Sequence, residues 1–273
     1  MKELFFYFQE VKKKMKIALV GYGKMGHMIE TCAKRDGHEV VATIDVIAED
    51  ASVKVPAGDG EAVARAVKSS GAEGIIEFSH PTAVMTNIKA LLPLGLPLVV
   101  GTTGWNDKKE EVSKLAADCG GVIMTSANFS IGVNMFYKIV AQVTKIMSEY
   151  PEYDIATWEA HHNQKADSPS GTALEIARLI LENTPNKTEI VTDAFHERPK
   201  ANQLHVSSTR CGNIPGTHKV FFDGIADTIE LTHTARSREG FASGAVKALA
   251  RLSESIKTGR LSKGKLYGME DLF

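Results

Sequence analysis

Lys16-Ile17-Ala18-Leu19-Val20-Gly21-Tyr22-Gly23-Lys24-Met25-Gly26-His27-Met28-Ile29 decides the fold. Lys16 to Val20 reads as a short apolar strand. A Gly-x-Gly-x-x-Gly turn follows, then a helical run through Met28, Ile29, Cys32 and Ala33 that Gly37 closes. Glu39 to Asp45 (EVVATID) reads as the next strand and ends in an acid about 20 residues beyond the last glycine. The glycine motif alone is a weak signal; strand, glycine turn, helix, strand and acid together form a dinucleotide fingerprint. Gly21 allows the tight turn, Gly23 lets a pyrophosphate approach the backbone, and Gly26 lets helix and strand pack closely, with Tyr22, Lys24 and Met25 completing the loop. Asp45 is placed to accept hydrogen bonds from the adenosine ribose. Val46 follows it, not an arginine, and a 2′-phosphate would meet the Asp45 carboxylate, so the pattern favours NAD. Lys24 partly offsets that repulsion, and NADP stays open.

The alternation continues outward from this unit. Ala62 to Ser69 reads as a helix and Gly74 to Ser79 as a strand ending in His80-Pro81. Thr82 is expected to cap a helix running through Leu92. Leu96 to Val100 reads as a strand entering Gly101-Thr102-Thr103-Gly104, Asp107 to Ala117 as a helix, and Val122 to Met124 as a strand ending in Thr125-Ser126-Ala127-Asn128-Phe129-Ser130. Strands alternating with helices imply a parallel sheet with right-handed crossovers, and ligands of such sheets sit beyond the carboxyl ends of the strands. Ser79-His80-Pro81, Gly101-Thr102-Thr103 and Ser126-Ala127-Asn128 are therefore expected to line one cofactor groove.

The second half has a different rhythm. Gly132 to Tyr150 reads as a long helix with Met135, Ile139, Val143 and Ile146 on one face, and Tyr153 to Trp158 as a strand. Lys187 to Phe195, Gln203 to Thr209, His218 to Phe222 and Thr228 to Ala235 read as strands with no long helix between them, which implies a mostly antiparallel or mixed open sheet. Its exposed face is suited to oligomerisation. Arg236-Ser237-Arg238-Glu239-Gly240-Phe241-Ala242-Ser243-Gly244 enters a helix to about Ile256 that returns to the first domain. The fold class is α/β: an N-terminal Rossmann-type parallel-sheet domain (15–130 and 236–273) and a C-terminal α+β domain with an open mixed sheet (131–235) for substrate binding and oligomerisation. Hinges are expected near Ser130 and Ala235, because hydride transfer would require one domain to close on the other.

Between the strand ending at Trp158 and the helix through Ala173, Ile176, Ala177, Ile180 and Leu181 lies Glu159-Ala160-His161-His162-Asn163-Gln164-Lys165-Ala166-Asp167-Ser168-Pro169-Ser170-Gly171-Thr172. Two imidazoles and an ammonium beside a helix N-terminus make an anion site with a proton source. Thr172 with Glu175 matches the spacing of a capping box, so a plain capped helix after a polar loop is the competing reading. Zinc is disfavoured. His161 and His162 are neighbours in the chain, there is no His-Glu-x-x-His, and Cys32, Cys119 and Cys211 are scattered.

The chain has 273 residues, 43% hydrophobic and 24% charged, with a net charge of −1. That is an ordinary globular composition with no basic footprint for nucleic acid. The three scattered cysteines fit a reducing cytoplasm, and no apolar run approaches the ~20 residues of a membrane helix. Residues 1–14 (MKELFFYFQEVKKK) place aromatics first and bases last, the reverse of a secretory signal, and read as an extension outside the fold.

The segment from Glu159 to Ala173 closely resembles the signature of the dihydrodipicolinate reductase family, also called 4-hydroxy-tetrahydrodipicolinate reductase. The likeness extends to Gly101-Thr102-Thr103-Gly104, to Ser126-Ala127-Asn128-Phe129-Ser130-Ile131-Gly132-Val133-Asn134, to Arg210-Cys211-Gly212 with Pro215-Gly216-Thr217-His218, and to Phe241-Ala242-Ser243-Gly244-Ala245-Val246. The resemblance implies a two-domain homotetramer that reduces a cyclic dicarboxylate with NADH or NADPH on the route to diaminopimelate and lysine. It implies His161 as proton donor/acceptor, Lys165 as proton donor, and His162, Gly171 and Thr172 as substrate-binding positions. It also implies Gly21 to Gly26, Asp45, Gly101 to Thr103 and Ser126 to Phe129 as cofactor positions. The glycine loop is one residue shorter than the family's common Gly-x-Gly-Gly-Arg-Met-Gly form, and Val46 stands where an arginine is frequent; both bear on cofactor preference. The chemistry agrees. Hydride addition to an unsaturated C–N ring builds negative charge that a proton must quench, and Lys165 beside a bound dianion has its charged form favoured. On the residues alone two other readings stay open. One is an amino-acid dicarboxylate dehydrogenase, acting on diaminopimelate or aspartate and releasing ammonia. The other is a dinucleotide-binding regulator without turnover.

Overall fold

A computed structural model describes residues 14–272. The expectation for the N-terminal extension falls outside these residues, except that the Lys14 ammonium pairs with Glu39 at 2.9 Å. The chain forms two compact units, passing from the first to the second at Ser130/Ile131 and back at Gly240/Phe241.

The first unit holds a seven-stranded sheet in which every pairing is parallel. Its strands are β1 (Lys16–Val20), β2 (Glu39–Asp45), β3 (Val53–Lys54), β4 (Gly74–Glu77), β5 (Pro97–Val100), β6 (Val122–Thr125) and β12 (Lys265–Tyr267), in the order β12-β6-β5-β4-β1-β2-β3. The helices of this unit are α1 (Lys24–Arg35), α2 (Gly60–Ser70), α3 (Val84–Leu91), α4 (Lys109–Cys119) and nearly all of α7 (Glu239–Lys257). The central strands are near-continuous runs of buried apolar residues, as a sheet covered on both faces requires. The order reverses direction at β1, and β1 and β4 flank the crevice where such sheets bind dinucleotides. The edge strands β3 and β12 are too short to show a period and were not anticipated. Thr82 does not cap α3. That helix starts at Val84 with Ala83 as N-cap, while the Thr82 hydroxyl meets His80 Nδ1 at 2.9 Å.

The second unit carries the mixed sheet β11-β10-β7-β9-β8. Its strands are β7 (Asp154–His161), β8 (Glu189–Val191), β9 (Gln203–Arg210), β10 (Thr217–Asp223) and β11 (Thr228–Thr234); its helices are α5 (Ile131–Met147) and α6 (Gly171–Asn183). β7 pairs parallel to β9 and antiparallel to β10. One sheet face buries Ile155, Leu204, Val206, Val220 and Phe222 against Phe136 and Val140 of α5 and Ile176 and Ile180 of α6.

Three expectations need correction. The strand expected over Lys187 to Phe195 shrinks to Glu189–Val191. On α5 the buried stripe is Val133, Phe136, Val140, Thr144 and Met147, while Ile139 and Ile146 are 49% and 59% exposed. Both stripes have helical spacing, and only the position of the sheet distinguishes them. Finally, β7 does not stop at Trp158. Its ladders run to Ala160↔Thr217 and His161↔Arg210, so Glu159 and His161 are strand residues.

Candidate active site

Because β7 extends through His161, Glu159 and His161 point to the same side of the strand. Glu159 is fully buried and His161 is 8% exposed. His161 Nδ1 lies 2.5 Å from Glu159 Oε2, while Oε1 receives Arg210 Nη2 at 2.8 Å and the Ser170 N–H at 3.3 Å. Burial opposes ionisation of Glu159, but the hydrogen bonds from His161, Ser208 and Arg210 prevail and hold the carboxyl well below the usual range. Arg210 also clamps the loop after β7, since its Nε donates to the Lys165 carbonyl at 3.3 Å and its Nη2 to that of Asp167. The Asn163 N–H reaches Gly212 O at 3.2 Å and the Lys165 N–H reaches His162 O at 3.1 Å, which fixes the loop as a turn.

Lys165 Nζ meets Asp167 Oδ1 at 2.8 Å, and that contact, with the N–H of Gly171, lowers the Asp167 carboxyl. Helix α6 starts two residues earlier than the Thr172–Glu175 box predicts. Ser170 is its N-cap and accepts from Ala173 N at 3.1 Å, and Glu175 instead pairs with Arg178 at 2.6 Å. Gly171 and Thr172 thus form the first turn of α6, which contains no acid. The Tyr137 phenol of α5 bonds to Thr172, and burial pushes it up to about 12. A cavity of about 370 Å³ beside the loop is lined by His162, Gln164, Asn213, Pro215, Ser237 and Arg238.

His218 on β10 is 4% exposed and crosses His161 edge-on with ring centroids 5.2 Å apart. Burial, reinforced by the neighbouring His161, pushes its pKa down from 6.5 to about 4, so it is neutral at physiological pH. The folded chain therefore refuses a proton that the unfolded chain accepts between about pH 6.5 and 4. Stability is retained above that window and falls as the pH drops through it, by about 3 kcal/mol in full. Urea unfolding at about pH 7 and about pH 5 is expected to show this loss, and His218→Gln should flatten it. Half-buried His233, also shifted down by burial, acts in the same direction. The ligand-type atoms of Glu159, His161 and His218 lie within 4.8 Å of one another. The Arg210 guanidinium already occupies the second Glu159 oxygen, so Glu159 and His161 form a hydrogen-bonded pair with its cation built in, and His218 Nε2 meets the Ser170 hydroxyl at 3.4 Å.

In the first unit Gly21 has φ 91° and its Cα faces Phe78 O, where a Cβ would stand at 2.2 Å; at Gly26 a Cβ would stand 2.5 Å from Gly21 O. Gly23 is the N-cap of α1 with no side-chain cap, and a Cβ there meets nothing within 4 Å. The result is an open, N–H-bearing turn that fits a pyrophosphate. Burial raises Asp45, but the N–H groups of Tyr22, Ile47 and Ala48, at 2.6, 2.8 and 3.0 Å, outweigh it and keep the carboxyl ionised. An acceptor-only group there suits ribose hydroxyls. His27 stacks on Tyr22 and pairs with Asp50 at 2.6 Å, adding another carboxylate on this side.

The strand-end segments come together around buried Glu77. Its carboxylate accepts from Thr102 Oγ1 at 2.6 Å, Asn87 Nδ2 at 3.1 Å and the Ser79 hydroxyl, and the Ser79 N–H reaches Thr102 Oγ1 at 2.8 Å. Phe129 packs on Phe78 with centroids 6.0 Å apart. Among the expected cofactor positions Gly23, Lys24, Thr103 and Ala127 are exposed. Gly101, Met25, Ser126 and Asn128 are partly so, while Tyr22, Thr102 and Phe129 are buried and support the loop from within.

Sequence reasoning assigned no role to Glu159, Arg210, His218 or Arg238. The signal for Glu159 was the i, i+2 spacing to His161, invisible once the strand was ended at Trp158. Arg210 and His218 are brought in by the register of β9 and β10.

Comparison with known proteins matches residues 15–129 to the family model "Dihydrodipicolinate reductase, N-terminus" and residues 132–273 to "Dihydrodipicolinate reductase, C-terminus". The 4-hydroxy-tetrahydrodipicolinate reductase of Christiangramia forsetii is 36% identical over 90% of this chain and 94% of its own. That of Clostridium tetani is 37% identical over 96% and 97%. A solved dipicolinate-bound dihydrodipicolinate reductase from Paenisporosarcina sp. TG-14 shares the fold, with a TM-score of 0.73 and 20% identity over 96% of this chain and 100% of that one. With both halves matched and close relatives aligned over nearly their whole length, the chain belongs to the dihydrodipicolinate reductase family.

Proposed function

We propose that the chain reduces 4-hydroxy-tetrahydrodipicolinate to tetrahydrodipicolinate with NADH or NADPH, on the route to diaminopimelate and lysine, with His161 and Lys165 moving the proton. The observation that carries this is that the end of β7 and the loop after it bring an imidazole and an ammonium next to a helix start whose first turn holds no acid. His161 is anchored on an ionised buried carboxylate, and Lys165 lies on the turn that leads to Gly171 and Thr172. When bound, the nicotinamide cofactor supplies the hydride. The chain's own groups do the rest. Gly171 and Thr172 N–H groups and the His162 ring are assigned to one ring carboxylate, Arg238 on the same cavity gives the second a guanidinium, and Lys165 delivers the proton that quenches the developing negative charge. Gly21 to Gly26, Asp45, Gly101 to Thr103 and Ser126 to Phe129 are assigned to the dinucleotide. The substrate is thus a cyclic dicarboxylate held by the second unit, which we also assign to the assembly of a homotetramer through its open sheet face. Among the described residues no helix is long and apolar enough to cross a membrane, and we assign the enzyme to the cytoplasm.

A coupled assay tests this. Dihydrodipicolinate synthase generates the unstable ring from pyruvate and aspartate semialdehyde, and loss of nicotinamide absorbance is followed with each cofactor. Oxidation of both is expected, with the larger kcat/KM for NADH because Asp45 is ionised and Val46 offers no charge to a 2′-phosphate. No oxidation of either, in a protein that still binds dinucleotide, would sink the reaction.

A further inference from the structure

Glu159 is the charged group nearest His161, and the assigned roles leave it unused. Its two oxygens are not equivalent. Arg210 Nη2 and the Ser170 N–H both donate to Oε1, whereas His161 Nδ1 meets Oε2, and the Ser208 hydroxyl adds a further bond to the carboxylate. An ionised carboxylate only accepts, so in this contact Nδ1 carries the proton. The lone pair of the neutral ring then sits on Nε2. That nitrogen faces Gly216, a residue with φ 149° where a Cβ would stand 2.9 Å away, so the missing side chain is what leaves this edge uncrowded. The charged and titratable groups around the His161–His218 pair are Glu159 on β7, Arg210 on β9, and, acting on His218 of β10, His233 on β11 and Lys165 in the loop. Among them Glu159 is the one bonded to the His161 ring.

We propose that Glu159 is a positioning residue for the reduction: it locks His161 in the Nδ1–H tautomer and fixes the ring plane, so that Nε2 is the atom that exchanges a proton on the substrate side. This rests on His161 being a proton carrier in the reaction proposed above. The asymmetry of the carboxylate makes the idea sharp. In Glu159→Gln, Arg210 and Ser170 claim the amide oxygen because both donate to the Oε1 position, and the amide NH2 is left facing Nδ1. An NH2 group only donates, so Nδ1 must become the acceptor and the ring must shift to the Nε2–H tautomer, which cannot take a proton at Nε2.

Nitrogen-15 NMR of the full-length, histidine-labelled protein reads the tautomer without substrate, His161 being identified by the signal lost in His161→Asn. The wild type is expected to show the Nδ1–H pattern and Glu159→Gln the Nε2–H pattern. In the coupled assay the glutamine variant should lose about 10²–10⁴-fold in kcat, with the KM for NADH within about twofold. Glu159→Asp, which keeps the charge, should retain the Nδ1–H pattern and recover part of the rate. A merely structural role would lower stability in both variants and leave the tautomer unchanged. Should the glutamine variant fail to fold, the wild-type and aspartate spectra decide, and an Nε2–H ring in the wild type overturns the proposal. So does a folded glutamine variant with unchanged tautomer and kcat within about twofold of wild type. A wild type with the expected ring but no reductase activity overturns the reaction itself, and with it the catalytic meaning of Glu159.

Discussion

Replacing Lys165 by alanine is expected to lower kcat by about 10²–10⁴-fold, the usual contribution of a positioned proton donor, while dinucleotide affinity stays at the wild-type level. The ammonium sits at 2.8 Å from the Asp167 carboxylate, which also takes the Gly171 N–H. The Gly171 N–H is one of the donors assigned to a substrate carboxylate and Lys165 is the assigned proton donor, so Asp167 stands beside the place where the ring is expected to bind. The backbone around Lys165 is held independently of its side chain, by the Arg210 contact to its carbonyl and by its own N–H to His162. Alanine therefore removes the charge and leaves the turn in place. Steady-state kinetics with a fluorescence titration of NADH separates the two effects. A variant with near-normal kcat would leave Lys165 as a binding group only. KM for the ring substrate should rise as well, since the same ammonium faces a dianion.

The second large effect lies in the glycine turn, where two substitutions that look alike should behave differently. Gly21→Ala forces a side chain onto a residue with φ 91° and drives its Cβ to 2.2 Å from Phe78 O, a backbone atom of the next strand connection that cannot swing away. Left-handed strain and overpacking together should cost about 3 kcal/mol or more and abolish cofactor binding. Gly23→Ala has neither problem, since its φ is −80° and its Cβ would meet nothing within 4 Å. Its stability should fall by no more than about 1 kcal/mol, the difference between glycine and alanine at an N-cap. Yet its methyl would occupy the space a pyrophosphate needs, so NADH affinity should drop sharply in a well-folded protein. Thermal unfolding combined with NADH titration checks both. Normal NADH binding by Gly23→Ala would mean that the dinucleotide does not cross this turn.

Much of the fold could be read from the chain because its signals are local. The bounds of β1 and β2 follow from a buried strand, a glycine turn and a terminal acid, all within one stretch. The extents of α1 and α7 follow from apolar spacing of the same kind. The misreadings share the opposite property. On α5 two apolar stripes compete, and the choice of Phe136 over Ile139 depends on where a sheet formed by residues far along the chain comes to lie. Thr172 with Glu175 has the spacing of a box, but Ser170 caps α6, and its own N–H is held by Glu159.

The same division applies to the site. The sequence by itself pointed to the reaction class through the family resemblance, because the motifs that carry it (the glycine turn with Asp45, and the segment with His161, Lys165, Gly171 and Thr172, to which we assign the site) are two short local segments. What only the tertiary structure decided is what surrounds and holds His161. Arg210 reaches Glu159 through the parallel register of β9 on β7, and Gly216 and His218 arrive through antiparallel β10. The physical reason is that a charge buried at 0% exposure is tolerable only when donors surround it, and those donors come from strands that no local pattern links to β7.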